Sequence, residues 1–130
     1  MNYVIDESLH PIVIITVTAP LSLADARSMT DSYEVMFEKP GHIAIAMVSN
    51  NEEHGEQAGQ KHMNDWIKQY RPLIGERCAG MAIVTQSTRF ISVYKLIAGQ
   101  VIKRIYNCPG KLFTELDEAT DWLGVQLAAN

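Results

Sequence analysis

The sequence predicts an α/β domain with a mixed, mainly parallel sheet of four to five strands and four helices packed on it. Three apolar runs, 12–18, 43–48 and 79–85, are too short for helices and are typical of strands buried on both faces. Segments whose apolar residues recur every three or four positions alternate with these runs. Alternating strands and helices form βαβ crossovers, which make neighbouring strands parallel.

The chain begins with a predicted hairpin and helix. Residues 3–6 form a short edge strand that pairs antiparallel with 12–18. Ser22 is the expected N-cap of the first helix, and Asp25 at the third helical position completes a capping box. Pro40 ends this helix before the second buried strand begins.

The longest predicted helix runs from about 88 to 105, with Ser87 as its N-cap. Gly99 weakens this helix by about 1 kcal/mol relative to alanine. A break there, followed by a strand over 101–106, is the alternative. The helix is preferred because it places Lys103 and Arg104 on its outer side.

Two further helices complete the pattern. One is predicted from 56 to 70, and Pro72 and Gly75 close it. The other follows a short strand at 111–113, and a capping box over 114–117 begins it.

Composition and charge exclude several classes of protein. The 130 residues are 47% hydrophobic and 20% charged, which is near the globular average and predicts one domain over 1–130. A net charge of −4 argues against a dedicated nucleic-acid binder. The N-terminus has no basic region of a signal peptide, and the longest apolar stretch is shorter than the roughly 20 residues of a membrane span. We therefore expect a cytoplasmic protein without a nucleic-acid partner or a membrane span.

No reactive constellation is visible in the sequence. Cys78 and Cys108 form no CxxC pair, so two reduced thiols are expected. There is no HExxH, no Gly-x-Ser-x-Gly elbow and no glycine-rich phosphate loop. His54 and His62 would need other ligands to hold a metal ion. We expect no metal and no cofactor, and an enzyme using His54 and Arg89 is only the third choice of function.

Four segments together carry a resemblance to a known family. They are the opening strand 12–18, the helix start Leu-Ser-Leu-Ala-Asp at 21–25, the strand 79–85 with Arg89 after it, and the Phe…Glu-Ala-x-x-Trp-Leu ending within 112–123. This order resembles the SpoIIAA-like (STAS/SEC14-type) small domain proteins, and the resemblance implies a STAS-like fold. Anti-sigma-factor antagonists of this type carry a phosphorylatable serine in an Asp-Ser-Ser-Gly-like loop. The matching segment 49–55 lacks that motif, so a phospho-switch does not carry over.

A candidate site lies where the parallel strands end. Open α/β sheets place ligand crevices at the carboxyl ends of their strands. The loop 49–55 leaves such an end, and its predicted neighbours are the loops 18–22 and 85–89. The polar side chains of these loops are the candidate ligand-binding or interaction residues: Ser49, Asn50, Asn51, His54, Gln86, Ser87 and Arg89. An ordinary solvated connection is the alternative for each of them.

Two functions of different classes fit these observations. The first is a non-enzymatic regulatory or protein-interaction domain, with a protein partner or self-association as a homodimer. Apolar residues of the first helix could exceed what the core needs and serve self-association: Met29, Tyr33, Met36 and Phe37. The alternative is a protein that binds a small apolar ligand or a lipid, which the SEC14-type likeness and the aromatic and methionine content favour.

Positive charge gathers late in the chain, at Lys95, Lys103, Arg104 and Lys111. These residues would form a patch for an anionic partner or a lipid head group. A solubilising outer face is the other interpretation of the same residues.

Overall fold

The computed structural model describes residues 1–49 and 55–130, and their strands form one sheet in the order β1-β2-β3-β4-β5. The strands are β1 (Tyr3–Leu9), β2 (Ile12–Val17), β3 (Ile43–Ser49), β4 (Cys78–Val84) and β5 (Gly110–Phe113). β1 is antiparallel to β2, and every later pairing is parallel. The described helices are α1 (Leu23–Glu38), α2 (Gln57–Arg77), α3 (Thr88–Tyr94), α4 (Ala98–Tyr106) and α5 (Leu116–Ala128). The predicted mixed, mainly parallel α/β sheet is confirmed, and β1 continues beyond the predicted 3–6 to Leu9.

Helices cover both faces of the sheet, and alternate residues of β2 show this. Val13 and Ile15 enter the core cluster formed with α1, α2 and α4, while Ile14 enters the cluster formed with α5. A strand places successive side chains on opposite faces. Two covered faces therefore explain why the middle strands are apolar at nearly every position.

The predicted capping box begins α1. Ser22 Oγ accepts a hydrogen bond from the Asp25 amide at 3.0 Å, and the Asp25 carboxylate accepts one from the Ser22 amide at 3.1 Å. That second bond lowers the pKa of the Asp25 carboxyl below its ordinary value.

The apolar stripe of α1 is used entirely inside the molecule. Its members are at most 7% exposed: Met29, Tyr33, Met36 and Phe37. They pack between α2 and the sheet. The idea that this stripe serves self-association is therefore wrong.

Helix α2 is longer than predicted, because it continues through Pro72 and Gly75 to Arg77. Its last turns are held by tertiary contacts. Ile74 is only 2% exposed, and Arg77 Nη1 donates a hydrogen bond to the Phe37 carbonyl at 3.1 Å. This packing outweighs the local preference of proline and glycine for a helix end.

We expect Pro72→Ala to raise the free energy of unfolding by about 1–3 kcal/mol. Proline in a helix interior removes a backbone donor and crowds the preceding turn, and Pro72 is exposed, so its loss leaves no void. Urea denaturation of the variant measures the change, with Gln69→Ala on the same helix as the control. If Pro72→Ala were less stable than the parent protein, Pro72 would not lie in the interior of a continuous helix.

The predicted helix over 88–105 is in fact two helices, α3 and α4, separated by a turn at 95–97. This raises the number of described helices to five. Gly99 lies inside α4 and not at the break. A Cβ at this position would stand 3.0 Å from the Gly110 carbonyl oxygen. Glycine is thus used for a close approach of α4 to β5. The alternative strand at 101–106 is wrong, since that segment completes α4.

The predicted capping box over 114–117 is also absent. Helix α5 takes Glu115 as its N-cap, and no side-chain hydrogen bond caps it. Leu116 is then the first helical residue and packs against the α5-side core cluster. Asp117 and Glu118 in the first turn instead provide the favourable charge at the N-terminus of the helix.

Candidate functional site

An open pocket of about 280 Å³ lies at the edge of the sheet where β2 and β3 end; we call it the mouth pocket. The loop 19–21 forms one wall, and the first turns of α2 form the other. Its lining residues are Val17, Ala19, Pro20, Leu21, Ala26, Ser49, Gly55, Gly59, Gln60, Met63 and Asn64. This volume is near the lower end of the about 300–1,000 Å³ usual for ligand pockets.

A second, apolar space of about 130 Å³ adjoins the mouth pocket; we call it the inner cavity. Val17, Leu21 and Met63 line both spaces, so they form the boundary between them. The other lining residues come from α1, α2, α4 and the sheet: Met29, Tyr33, Phe37, Ile45, Met47, Trp66, Ile67, Ile74, Met81 and Tyr106. The mouth pocket includes three polar side chains, Ser49, Gln60 and Asn64, in a largely apolar lining, while the inner cavity is almost entirely apolar.

Tyr33 lines the inner cavity and carries a hydroxyl without a hydrogen-bond partner. It is 7% exposed, and its hydroxyl is the one buried side-chain polar atom of residues 1–49 and 55–130 without a hydrogen-bond partner. Burial, with smaller contributions from Tyr106 and Tyr3, raises the pKa of Tyr33 far above its ordinary value. The phenol therefore stays neutral, and its hydroxyl keeps a proton that it can donate in a hydrogen bond.

The aromatic wall beside Tyr33 is fixed by one carboxylate. Glu34 Oε1 accepts hydrogen bonds from Trp66 Nε1 at 3.3 Å and from the Tyr70 hydroxyl at 2.6 Å. The Trp66 and Tyr70 rings stack with centroids 4.6 Å apart, and the bond to Glu34 raises the pKa of Tyr70. One hydrogen bond to Glu34 and the stack on Tyr70, which Glu34 also holds, leave Trp66 little rotational freedom, so the cavity wall is preorganised.

The rim of the mouth pocket is tied together by the segment that begins α2. The Glu56 amide donates to the Leu21 carbonyl at 2.9 Å, and Glu56 Oε1 accepts from the Leu23 amide at 2.7 Å. A Cβ at Gly55 would stand 2.5 Å from the Leu21 oxygen, and one at Gly59 would stand 3.0 Å from the Ser22 oxygen. The start of α2 and the loop before α1 are therefore in direct backbone contact beside the pocket.

The predicted site residues fall into three groups. Ser49 ends β3, is half-buried and lines the mouth pocket. Gln86, Ser87 and Arg89 lie at the start of α3, where Ser87 Oγ caps the helix by accepting from the Phe90 amide at 3.2 Å, and none of them lines either space. The predictions for Asn50, Asn51 and His54 fall outside the described residues.

Of the residues predicted for a site at this edge, Ser49 lines the mouth pocket, but most lining residues of both spaces were not predicted. Gln60 and Asn64, one helical turn apart at the start of α2, line the mouth pocket. Tyr33 and Trp66 belong to apolar stripes that helical spacing assigns to ordinary core. A signal that could have been noticed is the presence of a phenol and an indole in such stripes, because both need a partner when buried.

Two further polar contacts lie outside both spaces in the described residues. Cys78 and Cys108 are free and buried, and the Cys78 thiol donates to the Gly80 carbonyl at 3.3 Å. The interaction of the two thiols raises the pKa of Cys78 and lowers that of Cys108. Thr30 Oγ1 lies 2.9 Å from His62 Nε2 and donates to the Arg27 carbonyl. Within residues 1–49 and 55–130, no three histidine, cysteine or acidic side chains converge as metal ligands would.

Comparison with solved structures confirms the predicted SpoIIAA-like fold. The chain is similar to an uncharacterised protein of the DUF3478 family with a SpoIIAA-like fold from Shewanella loihica PV-4. The TM-score is 0.70 at 16% sequence identity, over 93% of this chain and 91% of that one. No family model matches the sequence, and no curated protein matches it. In the described part of the chain, no helix is both long and apolar enough to cross a bilayer.

Proposed function

We propose that this SpoIIAA-like domain is a non-enzymatic binding protein that holds a small apolar molecule in the inner cavity. The observation that carries the proposal is that Tyr33 lines an apolar space and its buried hydroxyl has no hydrogen-bond partner. An unpaired buried polar group costs about 1–3 kcal/mol. A ligand with a hydrogen-bond acceptor recovers part of that free energy when it binds.

The dimensions of the two spaces limit the ligand. An apolar cavity of about 150 Å³ holds a molecule the size of benzene. The inner cavity, at about 130 Å³, therefore suits one small ring or a short alkyl chain. Any polar extension would lie in the mouth pocket, near Ser49, Gln60 and Asn64. The proposed ligand is a small molecule whose apolar part occupies the inner cavity. It has one hydrogen-bond acceptor near that part, for the Tyr33 hydroxyl.

The ligand-binding hypothesis is thereby preferred to the regulatory or protein-interaction hypothesis. The α1 stripe that favoured self-association is buried, whereas the mouth pocket lies where β2 and β3 end and adjoins the inner cavity. A regulatory role stays a prediction, and ligand occupancy is compatible with it.

Acetophenone and ethylbenzene test the proposal, because they have similar size and differ in a carbonyl oxygen. We expect acetophenone to bind about 2- to 10-fold more tightly, the value of one neutral hydrogen bond. Titrations followed by methyl NMR shifts of the cavity methionines measure both affinities. Met63→Trp, which fills the boundary of the two spaces, should weaken both probes, while Val125→Trp on the exposed face of α5 should change neither. Absence of binding by both probes, or binding unaffected by Met63→Trp, would refute the site.

Tyr33→Phe is expected to raise the free energy of unfolding of the empty protein by about 1 kcal/mol, because it removes a buried unpaired hydroxyl. The same variant should lose the preference for acetophenone over ethylbenzene. Tyr70→Phe is the matched control, since its hydroxyl donates to Glu34 and its loss should destabilise the protein. A Tyr33→Phe protein that is less stable and still prefers acetophenone would contradict the role given to Tyr33.

A further inference from the structure

The charge of the chain is divided unevenly along the sequence. The segment 86–111 contains five of the eleven basic residues and none of the fifteen acidic ones, although the whole chain has a net charge of −4. Four of its basic residues lie on α3, on α4 or in the turn between them: Arg89, Lys95, Lys103 and Arg104. These four side chains are exposed, so the segment carries a surplus of positive charge in a chain whose net charge is negative.

The same segment exposes an unusual amount of apolar side chain. Helix α3 has no buried residue, and Leu96 in the following turn is 91% exposed. Val93 is 62% exposed, and Ile97 and Phe90 are 44% and 37% exposed. We call Arg89, Phe90, Val93, Lys95, Leu96 and Ile97 together the α3 surface. Other exposed apolar residues, such as Val35 on α1 and Val125 on α5, are separate from this run, and single residues of that kind are normal.

Local hydrogen bonds and one ring contact hold the α3 surface together. Ser87 caps α3, and the Ile97 amide donates to the Tyr94 carbonyl at 3.1 Å, which closes the turn. The Phe90 and Tyr94 rings pack with centroids 4.7 Å apart. Apolar side chains held in this way remain in water unless something covers them, which makes an interaction site the better explanation.

We propose that the α3 surface docks on an anionic lipid bilayer. Exposed aliphatic and aromatic side chains, with lysine and arginine beside them and no acidic residue near in sequence, are the composition of interfacial membrane-binding segments. Leu96, Val93 and Phe90 enter the interface between head groups and acyl chains. Arg89 and Lys95 bind the lipid phosphates.

Charge decides between this occupant and a second copy of the chain. A two-fold symmetric contact through the α3 surface would bring each copy's cations towards those of the other. An anionic bilayer instead neutralises them. Only a few apolar side chains enter the bilayer, so their burial alone does not hold the protein there. Binding requires this burial together with the attraction between the basic side chains and the anionic lipids. The docking does not depend on occupancy of the inner cavity.

Vesicle co-sedimentation of the full chain tests the docking. The protein should bind vesicles containing phosphatidylglycerol and not vesicles of phosphatidylcholine alone, and salt at about 1 M, where the screening length is about 3 Å, should release it. Leu96→Ser and Lys95→Glu should each weaken binding about tenfold. Val125→Ser and Lys68→Glu, exposed residues on other helices, are the matched controls and should bind as the parent does.

Several results would overturn the proposal. They are equal binding to both kinds of vesicle, binding that Leu96→Ser leaves unchanged, and a loss as large in Val125→Ser. Binding to polyglutamate but not to vesicles would assign the surface to an acidic protein instead. A dimer in light scattering that Leu96→Ser converts to monomer would assign it to a second copy. Circular dichroism should show all four variants folded, which is expected because the substituted side chains are exposed.

Discussion

Trp66→Ala should lower the free energy of unfolding by about 3–5 kcal/mol, a large part of the about 5–15 kcal/mol that a domain has. Trp66 is 7% exposed, and its ring lies 5.4 Å from Tyr33, 6.4 Å from Phe37 and 4.6 Å from Tyr70, measured between centroids. Removal of the indole loses this packing and joins a new void to the inner cavity. Urea denaturation followed by circular dichroism measures the loss.

Indole should restore part of this stability, because a ligand that binds only the folded state stabilises it. Its addition should raise the Tm of Trp66→Ala more than that of the parent protein. Trp122→Ala is the control, since Trp122 packs on the α5 side of the sheet, away from both spaces. Equal effects of indole on the two alanine variants would contradict a ligand-accessible cavity at Trp66.

Leu123→Ala is expected to lower the free energy of unfolding by about 2–5 kcal/mol. Leu123 is 0% exposed at the centre of the face that α5 covers, where the sheet presents small residues such as Ala44, Ala46 and Ala82. Alanine at position 123 would leave a void beside these small residues, because their side chains are too short to fill it. The same denaturation experiment measures the change.

Val125→Ala, two residues further along α5, is the matched control. Val125 is 64% exposed, so its truncation should change the free energy of unfolding by no more than about 0.5 kcal/mol. A Leu123→Ala protein as stable as this control would show that α5 does not cover the sheet as described.

The start of α1 could be predicted from the sequence because its capping residues are close together in the chain. Ser22 and Asp25 form the predicted capping box because both partners lie within one turn. The end of α2 depends on contacts distant in sequence, such as Arg77 with Phe37, and these override Pro72. The position of Gly99 could not be interpreted without β5, whose backbone α4 approaches.

The candidate site was predictable in place but not in composition. Ser49 and the loop 18–22 follow from the rule that ligands bind where parallel strands end. Tyr33 has the spacing of an ordinary core residue. Its distinction is a missing hydrogen-bond partner, and only the arrangement of the surrounding elements determines that.

The close contact of Gly55 and Gly59 with the loop at 21–22 sets the aperture of the mouth pocket. A methyl group at Gly59 would stand 3.0 Å from the Ser22 oxygen, so the start of α2 would have to move slightly away from that loop and the entrance would widen. Under the proposed ligand-binding function, this one backbone contact at the rim would therefore limit the size of the molecule that enters.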